Sequence, residues 1–377
     1  MIPCQRELFD IPQDVVYLNC AYTSPLPKAV EQAGQAALAL QRTPWRLSPE
    51  CYFASLEGAR SAFAGLLGAD ADGVAVTTSA SYGLAVAARN LPLAPGKAVL
   101  VLADQFPSNV YPWRRLAKGA LKTVPRPAEG TWSEAVVAAI GQDVGIVALP
   151  HCHWVDGTVF DLAAVRTACD AVGAHLVVDG TQSVGAVPFD LAAIRPDFLA
   201  VAGHKWLFAP YSVGFLYVAE RWREGEPLEE NWLNREGSEE FSRLTEYRDA
   251  YRPGARRYDV GEASNFTLMP MAEAALKMVA GWGVENIAAT LSPLIRRIAT
   301  AGQAFGMKVT PLAERAPHMV GLSMPPRGKA TDLAATLAKE RVYASARGAT
   351  LRVAPHLYVS DEDMDRFLGM LARGLST

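Results

Sequence analysis

From about residue 70 to residue 220, short runs rich in β-formers alternate with alanine-rich stretches of helical spacing. The runs are GVAVTTS, KAVLVLAD, VGIVALP, HLVVDG and DFLAVAG. Between two of them, DLAAVRTACDAVG at 161–173 sets Leu162, Val165, Ala168, Cys169 and Val172 on one helical stripe, with Gly173 as its stop. Strand, helix and strand, repeated, fit together as right-handed crossovers that build a mainly parallel sheet covered on both faces. VGFLYV follows GHKWLFAPYS too closely for a helical crossover, so it is expected to lie antiparallel to its neighbour.

Beyond residue 225 the character changes. The stretch up to Asn265 is polar and rich in glycine and charge, which reads as an ordered excursion over the surface. Two helical stretches follow, MPMAEAALKMVAGWG and ENIAATLSPLIRRIATAGQAFG. The tail then mixes the short strands KVTPL, MVGLSM and ATLRVAP with the helices TDLAATLAKERV and DEDMDRFLGMLARGL. The expected organisation is a large α/β domain over 14–262 and a smaller C-terminal α+β domain over 263–377, with residues 1–13 packing near the latter.

Composition excludes several classes of function. A net charge of −3 with interspersed signs offers no basic block for nucleic acid. Five scattered cysteines form neither a CxxC pair nor an even disulfide framework. MIPCQRELFDIP lacks the pattern of a signal peptide, and no apolar run reaches the roughly 18 residues of a membrane span. A soluble cytoplasmic protein is expected.

In an open α/β sheet, ligands bind at the carboxyl ends of the strands. After GVAVT come Thr78, Ser79, Ala80 and Ser81, running straight into a helix; such a start caps the helix and can also hold a phosphate. After KAVLVLAD comes Phe106, an aromatic that packs in the core or stacks on a planar ring. After HLVV comes Asp179, an acid costly to bury without a cation and otherwise a helix cap. Lys205 ends the next strand, between Asp197–Ala202 and Trp206-Leu207-Phe208, where a lysine either snorkels to water or gives up its proton to form a Schiff base. No GxGxxG and no GxxxxGK[ST] occurs. Taken together, the lysine, the acid, the hydroxyl-rich helix start and the aromatic are what pyridoxal 5'-phosphate needs. PHCHW at 150–154 places His151 and His153 on one strand face, but without a third ligand cluster no metal is expected there.

HLVVDGTQSVGAVPFDLAAIRPDFLAVAGHKWLFAP resembles the signature of class V, fold-type I, pyridoxal-phosphate enzymes. That group includes cysteine desulfurases, selenocysteine lyases, kynureninases, isopenicillin N epimerase-like proteins and aminotransferases. YLNCAYTSPLPKAV, FPSNVYPW and LRVAPHLYVSDEDMDRFL extend the likeness along most of the chain. The resemblance implies Lys205 as the Schiff-base lysine and Asp179 as partner of the pyridine nitrogen. It puts Gln182 on the ring's phenolic oxygen, Ser79, Ala80, Ser81 and His204 at the phosphate, and Phe106 and Trp154 beside the ring. Arg352 would grip the substrate's α-carboxylate, with Tyr22 bordering it. A homodimer with composite active sites and an amino-acid substrate are implied as well.

The sequence also departs from the pattern. YASARGATLR has no cysteine where desulfurases carry a nucleophile, which argues against persulfide transfer. Ala202 and Glu262 replace the usual serine and threonine of the phosphate site, and an acid cannot face a phosphate dianion without repulsion. The expected activity is a class V aminotransferase working by deprotonation at Cα. A carbon–sulfur or β-lyase, or an amino-acid epimerase, is the alternative, with a non-catalytic binder behind both.

Overall fold

The structure, a computed structural model, describes residues 1–326 and 328–375. A short strand β1 (Val16–Tyr17) opens the chain, and seven strands then build one sheet: β2 (Val74–Thr77), β3 (Ala98–Leu102), β4 (Leu121–Val124), β5 (Val144–Pro150), β6 (His175–Asp179), β7 (Phe198–Ala202) and β8 (Gly214–Val218). Their spatial order is β2-β8-β7-β6-β5-β3-β4. The contacts of β3 with β4 and β5, of β5 with β6 and of β6 with β7 are parallel, while β8 runs antiparallel to both β7 and β2, as the short GHKWLFAPYS connection requires.

Alternation along each strand feeds two separate cores. Val147, Leu149, Val178 and Val201 face one layer of helices. Ile146, Ala148, Val177 and Ala200 face the other. The helix Leu162–Val172 forms as its stripe predicts and stops at Gly173, which takes the left-handed φ of 69° that closes a helix end. The strand β4 escapes a sequence reading because it lies at the edge. Lys122 and Thr123 leave it without a continuous apolar run.

The helix Ala80–Asn90 crosses the sheet closely over β7 and β8. A Cβ on its Gly83 would stand 3.1 Å from the Ala200 Cβ and from Leu216 Cδ1, so glycine lets the helix start reach the sheet's carboxyl end.

The polar excursion is ordered by short 3-10 turns at Trp232–Asn234, Phe241–Arg243 and Gly254–Tyr258. It is fastened to the sheet by a buried ion pair. Arg60, from the helix Pro49–Leu67, places Nη1 and Nη2 3.0 and 2.6 Å from the two Asp259 oxygens, and the Val76 amide donates to Oδ1 at 2.7 Å. Beyond the helices Leu268–Trp282 and Val284–Ala304, strands β9 (Lys308–Val309), β10 (Val320–Ser323), β11 (Val342–Tyr343), β12 (Ser345–Arg347) and β13 (Thr350–Val353) follow. A four-stranded antiparallel sheet forms in the order β12-β13-β10-β9. β1 pairs in parallel with β11, and Asn19 bridges to Ala354.

Candidate active site

A cavity of about 240 Å³ opens where β5, β6 and β7 end and the helix Ala80–Asn90 begins. The nine residues expected around a cofactor all border it; Tyr22 and Arg352 are not among its lining residues.

Lys205 follows the end of β7, in a turn whose Gly203 amide donates to the Val213 carbonyl at 2.8 Å. Trp206, Leu207 and Phe208 are buried and anchor the turn, so the lysine cannot swing to solvent with its apolar neighbours in place. Burial lowers its ammonium from 10.5 to about 8, with Asp179 pulling upward and Arg352 and Arg347 pushing further down. The amine stands over the Phe106 ring, 5.6 Å from its centroid.

Asp179 ends β6, on the strand next to β7, and accepts a hydrogen bond from the Thr181 amide at 3.0 Å. Burial raises its carboxyl, and Thr181 and Lys205 only partly counter this. Among the described residues, neither Asp179 nor Lys205 enters an ion pair within 4.0 Å, so both keep an open valence toward the cavity. Gln182 is fixed in orientation: its Nε2 donates to the Ala21 carbonyl at 3.0 Å and its Oε1 accepts from the Trp206 indole at 2.9 Å. One Nε2 hydrogen is left for the cavity it borders.

At the helix start, Ser79 caps the Tyr82 amide at 3.2 Å and its hydroxyl meets that of Ser81 at 2.8 Å. Among the described residues, the Ala80 and Ser81 amides meet no backbone or side-chain acceptor. They border the cavity at the positive end of a helix of 11 residues. Burial and the Lys205 charge lower the His204 imidazole to about 4, and its ring lies 4.7 Å from that of Tyr211.

The opposite wall is made by Phe106 and Trp154, edge to face at 5.4 Å. Their loops are tied at the Asp104 carbonyl, which accepts from the Trp154 indole at 2.8 Å and from His153 Nε2 at 3.3 Å. Gln105 holds the other side of the loop by donating to the Asn109 and Ala148 carbonyls at 2.6 and 3.1 Å. Arg352 donates from Nη1 to the Trp154 carbonyl at 2.8 Å, while its buried Nε and Nη2 find no acceptor. Burial, then the nearby Arg347, lower its guanidinium to about 9.

Arg347 is the residue the sequence reading missed. Its guanidinium carbon lies 5.8 Å from the Trp154 ring centroid and 6.0 Å from that of Tyr22, with no carboxylate partner among the described residues. The only signal was a second arginine inside SARGATLR, five residues before Arg352. Glu262 is exposed and holds a left-handed φ of 57°, strained for a residue with a Cβ. Among the described residues, no group of three metal-ligating side chains forms around His151, Cys152 and His153.

Comparison with known proteins gives a consistent picture. The sequence profile described as Aminotransferase class-V matches residues 16–366. The chain is 27% identical over 371 residues to an uncharacterized aminotransferase of Bacillus subtilis, covering 97% of this chain and 96% of that one. It is 28% identical over 377 residues to isopenicillin N epimerase of Streptomyces clavuligerus, covering 95% and 94%. Among solved structures, the apo cysteine desulfurase of Thermococcus onnurineus NA1 superposes with a TM-score of 0.85 at 20% identity, covering 100% of this chain and 99% of that one. A C-DES mutant with glycine linked to its PLP cofactor superposes with a TM-score of 0.86 at 20% identity, covering 98% and 99%.

Proposed function

The chain belongs to the class-V aminotransferase family, and on that premise we propose that it transforms an α-amino acid with pyridoxal 5'-phosphate held at Lys205. The observation that carries this reading is the pairing at adjacent strand ends of a buried amine lowered to about 8 with an unpaired carboxylate. The residues present fit the cofactor. Two free amides at a helix start suit a phosphate, Phe106 offers a ring face, and Asp179 offers an acceptor for a ring N–H. When bound, the cofactor supplies an electron-withdrawing pyridinium ring that makes the substrate's Cα proton acidic.

The protein groups divide the remaining work. Lys205, its ammonium lowered by burial to about 8 and so readily deprotonated, would accept the Cα proton and return it. Asp179 would hold the proton on the ring nitrogen, and Gln182 would donate to the ring's oxygen with the one hydrogen it has free. Arg352 presents Nε and Nη2 as a fork for the α-carboxylate, its third nitrogen being occupied by Trp154. Arg347, on the Tyr22 side, adds a second positive charge that favours substrates with a further anionic group. Transamination is the reading we favour. Carbon–sulfur or β-elimination, or epimerisation at Cα, uses the same groups up to the point where the proton returns.

We assign residues 14–262 to a cofactor-binding domain and 263–377 to a smaller one. We propose a cytoplasmic homodimer. Five free cysteines suit a reducing compartment, and Tyr22, Phe106 and Tyr211 stand exposed around the site, where a second subunit would cover them. Among the described residues, no helix is long and apolar enough to cross a membrane.

The test is the visible absorption spectrum of the purified protein with pyridoxal phosphate, followed as amino acids are added singly. A band lost on substituting Lys205→Ala and shifted by one amino acid supports the reading. A chain that stays colourless with added cofactor overturns it.

A further inference from the structure

His153 lies outside the roles assigned above, yet it reaches the wall of the site. It is 3% exposed, follows β5 by three residues, and packs its ring 5.0 Å from that of Trp132. Nδ1 stands 3.1 Å from Asp156 Oδ1, and Nε2 stands 3.3 Å from the Asp104 carbonyl oxygen. Both neighbours can only accept. A neutral imidazole carries one N–H, so only the ring with both protons satisfies both contacts. Asp104 has a left-handed φ of 54° and sits two residues before Phe106, so the loop needs an external hold on this carbonyl.

From this we propose that His153 is a positioning residue, which holds the Asp104 carbonyl and so keeps the Phe106 ring against the Lys205 amine. The second hold on the same carbonyl is the Trp154 indole. Behind His153 the anchor is firm. Asp156 also accepts from the Thr158 amide at 3.0 Å and its hydroxyl at 2.9 Å, and pairs with Arg126. Burial works against the Asp156 carboxylate, but His153 and Arg126 hold it below its usual range. The Asp156 carbonyl in turn accepts from the Gly321 amide at 3.1 Å, tying the anchor to β10.

Other charged or titratable groups lie near the ring. Arg126 lies across Asp156, the Asp104 side chain is exposed, and burial keeps the neighbouring Cys152 thiol protonated. The helix Trp132–Ala139 presents only the Trp132 indole.

The experiment is hydrogen–deuterium exchange on the peptide spanning 103–110 in the full chain, with and without pyridoxal phosphate. His153→Phe, which keeps the ring packing, should exchange there about ten-fold faster than wild type, with β6 and β7 unchanged. His153→Gln, with a neutral amide donor, should recover part of the protection. Wild-type protection in His153→Phe overturns the proposal. Should His153→Phe fail to fold, His153→Gln and Trp154→Phe form a double-mutant cycle; strictly additive effects on loop exchange then overturn it. The proposal rests on the functional reading only for its consequence. The loop measurement needs no turnover, so it can fail while Lys205 still takes up cofactor, and can succeed where it does not.

Discussion

Arg352 is moored to Trp154 by a single hydrogen bond of 2.8 Å, from Nη1 to the carbonyl, and its other two nitrogens are buried without acceptors. A side chain held in place with donors to spare is preorganised for an anion, because the cost of desolvating and orienting it is met before the ligand arrives.

Arg352→Lys retains the charge but not the fork. We expect KM for the amino acid to rise roughly ten- to a hundred-fold while cofactor affinity changes little. Substrate titrations and a separate cofactor titration check this. Parallel losses in both would mean that Arg352 serves the cofactor.

The proton on Lys205 gives a second prediction. The native amine titrates at about 8, whereas the unfolded chain holds its proton up to 10.5. Within that window the unfolded state binds more protons, so the cofactor-free chain should gain stability as pH rises, by no more than about 3 kcal/mol. Comparing urea midpoints of wild type and Lys205→Met across the window isolates the effect. Because Asp179 pulls the amine upward, Asp179→Asn should extend the lower end of the window to lower pH while the upper end stays at 10.5, and a raised lower end would contradict the geometry.

Three buried histidines titrate in the opposite region. Burial lowers His151 to about 4, and burial with their neighbours lowers His318 and His356 to about 3. Below the ordinary value of 6.5 the unfolded chain takes up protons that the native one refuses, so stability must fall as pH drops from there toward about 4. His356 stands among the rings of Trp206, Phe208 and Trp282 with both nitrogens unpartnered. His356→Phe should make the acid loss shallower by about one proton, read from unfolding free energies between about pH 4 and about pH 7.

The buried Arg60–Asp259 pair yields a fourth. Asp259→Ala would leave a fully buried guanidinium with only the partly exposed Glu57 carboxylate at Nε as counter-charge, at about 3 kcal/mol. Urea unfolding measures it, and Asp259→Asn, which keeps an acceptor, should lose less. Equal losses would assign the effect to shape alone.

Much of this fold could be read before any coordinates. Buried parallel strands leave continuous apolar runs and crossover helices leave stripes, so β2, β3, β5, β6 and β7 and the helix closed by Gly173 were legible. So was the ring of residues at the strand ends, because topology alone brings them together. What was hidden depends on contacts between distant segments. β4 is an edge strand with polar Lys122 and Thr123 at its centre; Arg347 gains meaning only when Trp154 and Tyr22 meet it; the Gln182 amide is oriented by Ala21 and Trp206. The hold of His153 on Asp104 spans 49 residues and leaves no periodic trace.

The pairing of β1 with β11 joins Val16 to Val342, more than three hundred residues downstream. A ribosome adding about 5–20 residues per second must therefore work for tens of seconds before the first strand has its partner. The segment that ends in Cys20 and Ala21 can meet Lys205 and Gln182 once they are made, but throughout that interval it lacks its strand partner. Lys205 is made roughly midway through synthesis, but Arg352, which lies close enough to depress its amine, comes only near the end. An unfinished chain therefore carries that amine without all of its surroundings.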